Sequence, residues 1–163
     1  MEKYHLAQIN IATALWDVAD PGFADFMNNL DLINKLAEDT PGFVWRLQTP
    51  EGNATSIRVY DHDRIMLNMS VWESLDALYQ YTYYSDHTAF FRRRAEWFEK
   101  PTAPITALWW IPAGTIPTPL EGKERLDLLR SQGATPLAFT FKERFTVEEM
   151  LEYQAKLEIQ KAE

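Results

Sequence analysis

Between Arg64 and Trp72 the chain alternates without a break, with Ile65, Leu67, Met69 and Val71 to one side and Met66, Asn68, Ser70 and Trp72 to the other. A period of two held over that length fits a strand whose two faces meet different surroundings, and fits no helix. Ser74 follows as an N-cap and opens a helix in which Leu75, Leu78, Tyr79 and Thr82 share a face. This step from strand to helix limits what the flanking segments can build.

Leu6 to Ala12 reads as an earlier strand. Asp20-Pro21 then supplies a cap and a first-turn proline for a helix with Phe23, Phe26, Met27, Leu30, Ile33 and Ala37 on one side, which runs to about Thr40 and stops at Pro41-Gly42. Phe43 to Gln48 reads as a second strand, with Trp45 and Arg46 on opposite faces. The turn Pro50-Glu51-Gly52-Asn53, a short strand from Thr55 to Tyr60 and the turn Asp61-His62-Asp63 come next. After the helix opened by Ser74, Ser85-Asp86 breaks and recaps the chain into a second helical stretch that Pro101 and Pro104 end, and Ile105 to Pro112 is the last main strand.

The order is strand, helix, strand, strand, helix, strand, the split βαβ pattern of a ferredoxin-like α+β unit with an antiparallel sheet and helices on one face. Such helices leave the other face bare. Exposing a face that carries Leu, Ile and Trp costs about 25 cal/mol per Å² of apolar area, so a homodimer paired through its sheet faces is expected. Beyond the turn formers at 114–119, a helix with Leu120, Leu126, Leu128 and Leu129 ends at Gly133, and Leu137 to Phe141 reads as an extra strand for this sheet or the partner's. From Thr146 the pattern is helical again, with Val147, Met150, Leu151 and Leu157 on a thin stripe. The expected division is one domain over 1–142, extra strand included, and a helical tail over 143–163.

Several function classes drop out on composition. A chain of 163 residues has room for one core. Its net charge of -8 works against a binder of nucleic acid. No run approaches the 18 or so apolar residues of a membrane span. The absence of cysteine excludes disulfides, thiolate nucleophiles and zinc-cysteine sites. The start MEKYHLAQINIA lacks the pattern of a secretion signal, so the cytoplasm is the expected location. Asn53-Ala54-Thr55 reads as a turn and not as a glycosylation acceptor, and His62 between two aspartates as a turn and not as a metal ligand. No metal site is expected.

The segment DHTAFFRRRAEWFE, residues 86–99, carries the candidate chemistry. As one helix it places His87, Phe90, Phe91, Arg94, Trp97 and Phe98 on a single face. His87 and Arg94 then sit where a helix ordinarily presents Leu or Ile. Arginine cannot shed its charge, so an inward Arg94 needs an anion or water held close. Arg92 points away and is placed to pair with Glu96, and Arg93 lies on the flank. In one reading Arg94 holds an anionic or enolate oxygen and His87 moves a proton, while Asn10, Asn68, Trp72, Tyr83, Phe91 and Trp97 shape a ligand pocket. In the other, His87 and Arg94 only pin their helix through hydrogen bonds to carboxylates or carbonyls. Asn34, inside an apolar stripe, is either a satisfied core amide or part of the same pocket. Trp45, Trp109 and Trp110 read as core or interface, and the face of Asn68 and Ser70 as pocket or dimer seam. Without a glycine-rich phosphate loop, a His-x-x-x-His or a carboxylate-histidine cluster, no cofactor is expected, and an oxygenation would take its electrons from the substrate.

The run SVWESLDALYQYTYYSDHTAFF from Ser70 resembles the strand-to-helix signature of the dimeric α/β-barrel superfamily, which includes antibiotic-biosynthesis and haem-degrading monooxygenases. The segments LAQINIA, PGFVWRLQ, SVWESLDAL, SDHTAFFRRRAEWF, LWWIPAG and TPLAFTF together resemble one branch of it, the domain of unknown function 3291 family, over about residues 4–142. The resemblance implies a ligand cavity between helices and sheet, and often cofactor-independent oxygenation of a conjugated, aromatic or polyketide-like substrate. Haem-degrading members use an Asn on the first strand and a Trp and a His on the second helix. Asn10 matches the first, Tyr81 to Tyr83 stand where the Trp falls, Arg92 to Arg94 stand around the His position, and His87 lies about one and a half turns earlier. Small-molecule binding with monooxygenase-like chemistry is therefore the expected function. The alternatives are a non-catalytic ligand-binding or sensing dimer, and a haem protein with His87 as axial ligand.

Overall fold

The computed structural model describes residues 2–49, 52, 55 and 58–163. Its strands β1 (Tyr4–Thr13), β2 (Phe43–Arg46), β3 (Ile65–Trp72) and β4 (Thr106–Pro112) form a four-stranded antiparallel sheet in the order β2-β3-β1-β4. Helix α1 (Ala24–Glu38) connects β1 to β2, and α2 (Leu75–Tyr84) followed by α3 (His87–Arg92) connects β3 to β4. This is the expected ferredoxin-like α+β arrangement. Two further helices follow, α4 (Pro119–Gln132) and α5 (Val147–Ala162). Of the expected short strand from Thr55 to Tyr60, part lies outside the described residues, and the described positions 58–60 are not strand.

The local signals act as the sequence predicts. The side chain of Asp20 accepts from the Gly22 amide at 2.8 Å, and Pro21 opens a short 3-10 turn that feeds α1. Ser74 caps α2 through the Ala77 amide. Gly42, at φ 91°, turns the chain into β2 so close to α2 that an added Cβ would lie 2.5 Å from the Cβ of Ala77. Thr146 and Glu149 form a reciprocal capping box at the start of α5.

Register separates the faces. Ile9 pairs with Met69 and Ala107, and Gln8 with Ser70 and Leu108, so odd positions of β1 share a face with odd positions of β3 and β4. The even face, with Leu6, Trp72 and Leu108, packs against Ala37 of α1 and Leu78 of α2. The odd face, with Ala7, Ile9, Met69, Val71 and Trp109, is not bare as the sequence suggests: Leu126 and Leu129 of α4 cover it. A Cβ at Gly122 would come 3.0 Å from the side-chain ends of Ile9 and Met69, so α4, which lies against β4 and β1, comes closest to the two central strands at this glycine. The expectation missed this because the helix after 118 carries few apolar positions, and α4 obtains its close approach from a glycine instead of a broad apolar stripe.

Two other expectations change in form. The stretch 137–141 is an isolated bridge in which Phe139 and Leu108 exchange both backbone hydrogen bonds at 2.9 Å, so it extends this chain's own sheet at the β4 edge. The helix expected over 86–99 stops at Arg92, and Arg94–Glu96 is a separate 3-10 turn. The break falls at Arg93, whose guanidinium reaches Asp25 of α1 at 2.9 Å and Glu96 at 2.7 Å and lies 4.6 Å over the Trp97 ring. Glu96 is thus held by Arg93, not by Arg92.

Candidate functional site

The even face of the sheet is apolar at one end and polar toward the other. At its centre Gln8 Nε2 donates to Asn68 Oδ1 at 2.7 Å and to Ser70 Oγ at 2.9 Å, and Trp72 Nε1 donates to the same hydroxyl at 2.8 Å. One register step on, Asn10 Nδ2 donates to Thr106 Oγ1 at 2.7 Å. Asn68 belongs to an interior strand yet is exposed, so the helices leave the sheet open above it. Across β3, in register with Ser70, Arg46 lies with its side chain only 11 % exposed and its Nε 2.8 Å from Glu38 of α1. On α1, Asn34 is 8 % exposed and its side-chain amide has no hydrogen-bond partner among the described residues. Asn10 Oδ1 and Asn68 Nδ2 likewise make no hydrogen bond among the described residues.

A stack of rings leads outward from this floor. Trp72 stacks on Tyr81 at 5.2 Å, Tyr81 meets His87 at 4.9 Å, His87 faces Phe91 at 6.4 Å, and the Arg94 guanidinium lies 6.0 Å from the Phe91 ring. Tyr81 also spans to α1, where its hydroxyl donates to the Ile33 carbonyl at 3.3 Å, next to Asn34. Burial raises the Tyr81 phenol above its ordinary range, opposed by the Arg46 charge, so at neutral pH it is a donor only as the protonated form.

His87 and Arg94 are the titratable heart of the stack. Burial lowers the His87 pKa, with the Thr82 carbonyl opposing it, so the imidazole is neutral at pH 7. Its Nδ1 lies 3.4 Å from that carbonyl, an acceptor that keeps the proton on Nδ1 and leaves Nε2 as the basic nitrogen. Arg94 is half-buried, and burial lowers its pKa without removing the charge. Its guanidinium has no hydrogen bond or ion pair among the described residues, whereas that of Arg93 beside it has two carboxylates.

Of the residues singled out by sequence, Asn10, Asn68, Trp72, His87, Phe91 and Arg94 therefore belong to one connected system running from sheet to surface. Trp97 and Tyr83 do not join it. Trp97 is 2 % exposed and packs with Phe23, Phe26 and Phe90 in a separate cluster, because the break at Arg93 rotates it off the face of His87. Tyr83 is 44 % exposed on the far side of α2 against Tyr79 and Phe141. Sequence reasoning missed Gln8, Arg46 and Tyr81. The parity of Trp45 and Arg46 contained the signal for Arg46, since Trp45 pairs with Val71 on the odd face and so sends Arg46 to the even one. His62 closes its turn by accepting the Arg64 amide at 3.1 Å, and among the described residues no group of three His, Asp or Glu side chains is placed to hold a metal ion. Among them, too, no helix is long and apolar enough to cross a membrane.

The family model described as domain of unknown function (DUF3291) matches residues 5–155, and the chain belongs to that family. No curated protein matches it. Among solved structures, SnoaB, a cofactor-independent oxygenase from Streptomyces nogalater, is 15 % identical over 69 % of this chain and 95 % of its own, with a TM-score of 0.46. The NE2512 protein of unknown function from Nitrosomonas europaea is 12 % identical over 73 % and 98 %, with a TM-score of 0.45. A monooxygenase from the gene ActVA-Orf6 of Streptomyces coelicolor, in complex with nanaomycin D, is 13 % identical over 72 % and 93 %, with a TM-score of 0.32. Likenesses at these levels say nothing of activity.

Proposed function

We propose that this member of the DUF3291 family binds a small planar aromatic molecule carrying an acidic hydroxyl or enol, over the exposed Asn68 on the even face of the sheet and against α3, and oxygenates it without a cofactor. The observation that carries this reading is Arg94. A half-buried guanidinium without a carboxylate or carbonyl partner among the described residues, placed beside a paired arginine that needs no help, is suited to an anion from outside the chain. The Phe91 ring, shared by Arg94 and His87, offers a flat surface for a conjugated ligand.

In this reading the ligand oxygen lies on Arg94 while Asn68, Asn10 and Asn34 offer their unused amide groups to its far end. With the ligand in its keto form, His87, neutral and basic at Nε2, takes a proton from the ring methylene conjugated with the carbonyl. Arg94 stabilises the enolate that results. The electron-rich enolate reduces dioxygen itself: one oxygen atom stays on the ring carbon as a carbonyl, and the other leaves as water with the two hydrogens the carbon has lost.

The test is titration of the chain with a fused-ring anthrone, read by quenching of aromatic fluorescence and by oxygen uptake. Binding is expected to weaken roughly tenfold to a hundredfold in Arg94→Met, the loss of one hydrogen bond to a charged group. His87→Ala is expected to keep binding and lose oxygen uptake. Binding without oxygen uptake in the native chain would remove the oxygenase part of the reading, and an affinity indifferent to Arg94→Met would remove the site.

A further inference from the structure

We infer that this chain closes its own sheet, with α4 occupying the face on which a second copy would otherwise pair, so that the folded unit is a single chain. The central apolar residues of that face are already covered: Ala7, Ile9, Val71, Ala107 and Trp109 are fully buried within one chain, in a cluster with Leu126 and Leu129 of α4, and only flanking residues such as Trp45 and Ile65 stay partly exposed. A stable interface removes about 800 Å² from each partner, and here the residues at the centre of the face that would supply it are covered by a helix of the same chain. Gly122 makes the seal close. At 3.0 Å from the ends of Ile9 and Met69, an added Cβ would touch the two central strands at once, so α4 reaches the middle of the face at Gly122 while the rest of it lies over β1 and β4.

Both ends of α4 are tied to the same chain. At its start, Thr118 caps the helix by accepting the Glu121 amide at 3.1 Å, directly after the short connection 113–118 from β4. At its end, Arg130 Nε donates to the Pro104 carbonyl at 2.7 Å, just before β4 begins. In between, Arg125 donates to the Leu137 carbonyl at 2.8 Å and so fastens α4 to the segment that follows it. That segment covers the other place a partner strand would need: Phe139 pairs with Leu108 along the open edge of β4, and Phe145 takes the indole hydrogen of Trp110 at 2.8 Å. The extension after β4 therefore supplies in one chain both the covering layer and the added edge contact that the expected sheet-to-sheet dimer would draw from its partner.

Since the chain contains no cysteine, two introduced thiols report on α4 without interference. In the full-length double variant Met69→Cys, Gly122→Cys, oxidation is expected to join the two within one chain, giving a denatured mass of a single chain lighter by two hydrogens. A cross-linked pair of chains would mean that α4 is exchanged between copies, and two thiols left free would mean that α4 does not rest on the sheet. Either result overturns the inference. Light scattering of the native protein serves as the measurement that needs no variant: a mass of 19.0 kDa is expected, and twice that mass would overturn it.

Discussion

Substituting Gly122 measures how tightly α4 lies on the sheet, because helix propensity and packing push in opposite directions there. In an exposed helix, replacing glycine by alanine or leucine gains about 0.5–1 kcal/mol. At Gly122 the new Cβ would stand 3.0 Å from Ile9 Cδ1 and from Met69 Sδ and Cε, where carbon contacts ordinarily settle at about 3.5–4.0 Å. The atoms that must move are the ends of flexible side chains, but both residues are almost fully buried and the space behind them is filled. For alanine a shift of about half an ångström suffices, its strain roughly cancels the propensity gain, and the net change is expected within about 1 kcal/mol of zero. Leucine adds three more carbons with no space to enter, and overpacking of about 1–3 kcal/mol or more then exceeds the gain. Urea unfolding followed by tryptophan fluorescence reads the difference directly. Gly122→Leu should unfold at clearly lower urea than the native chain, with Gly122→Ala close to it. A Gly122→Leu variant as stable as the native chain, or more so, would refute the packing of α4 described above.

Ser70→Ala should cost about 1–3 kcal/mol in the same unfolding assay, because the hydroxyl is the acceptor for Gln8 Nε2 and for the fully buried Trp72 Nε1, and the indole would be left without one. Arg94→Met should leave stability unchanged or raise it slightly, since the native guanidinium is partly desolvated without a partner among the described residues; a marked loss would mean that Arg94 pins the fold. The His87 pKa is lowered by folding, so as pH falls below the ordinary value of 6.5 the unfolded chain takes up the proton first and stability drops until the folded value is passed. His87→Phe should therefore lose less stability than the native chain between pH 7 and acid conditions, as measured by unfolding midpoints across that range, and an unchanged pH slope would contradict a desolvated His87.

The central sheet was legible because its information is local: alternation over 64–72, the caps at Asp20 and Ser74, and the breaks at Pro41-Gly42 and Ser85-Asp86 each act within a few residues. His87 and Arg94 were legible as misplaced polar groups on an aromatic stripe. Their shared surface at Phe91 survives even though the helix behind them breaks. What escaped depends on tertiary contacts. The break at Arg93 follows from Asp25, 68 residues away, and it moves Trp97 out of the site and into the core. The place of α4 follows from Gly122, whose meaning appears only when Ile9 and Met69 lie beneath it. Gln8 was hidden because its donor groups find Asn68 and Ser70 only after β1 and β3 are paired.

A native mass spectrum of protein purified directly from cells, set beside that of Arg94→Met prepared in the same way, tests most directly whether Arg94 holds a ligand. A single chain carrying the added mass of a small organic acid or phenol is expected, and a bare chain when Arg94 is replaced. The same added mass on both proteins, or a native chain that stays bare in the presence of excess anthrone, would contradict it.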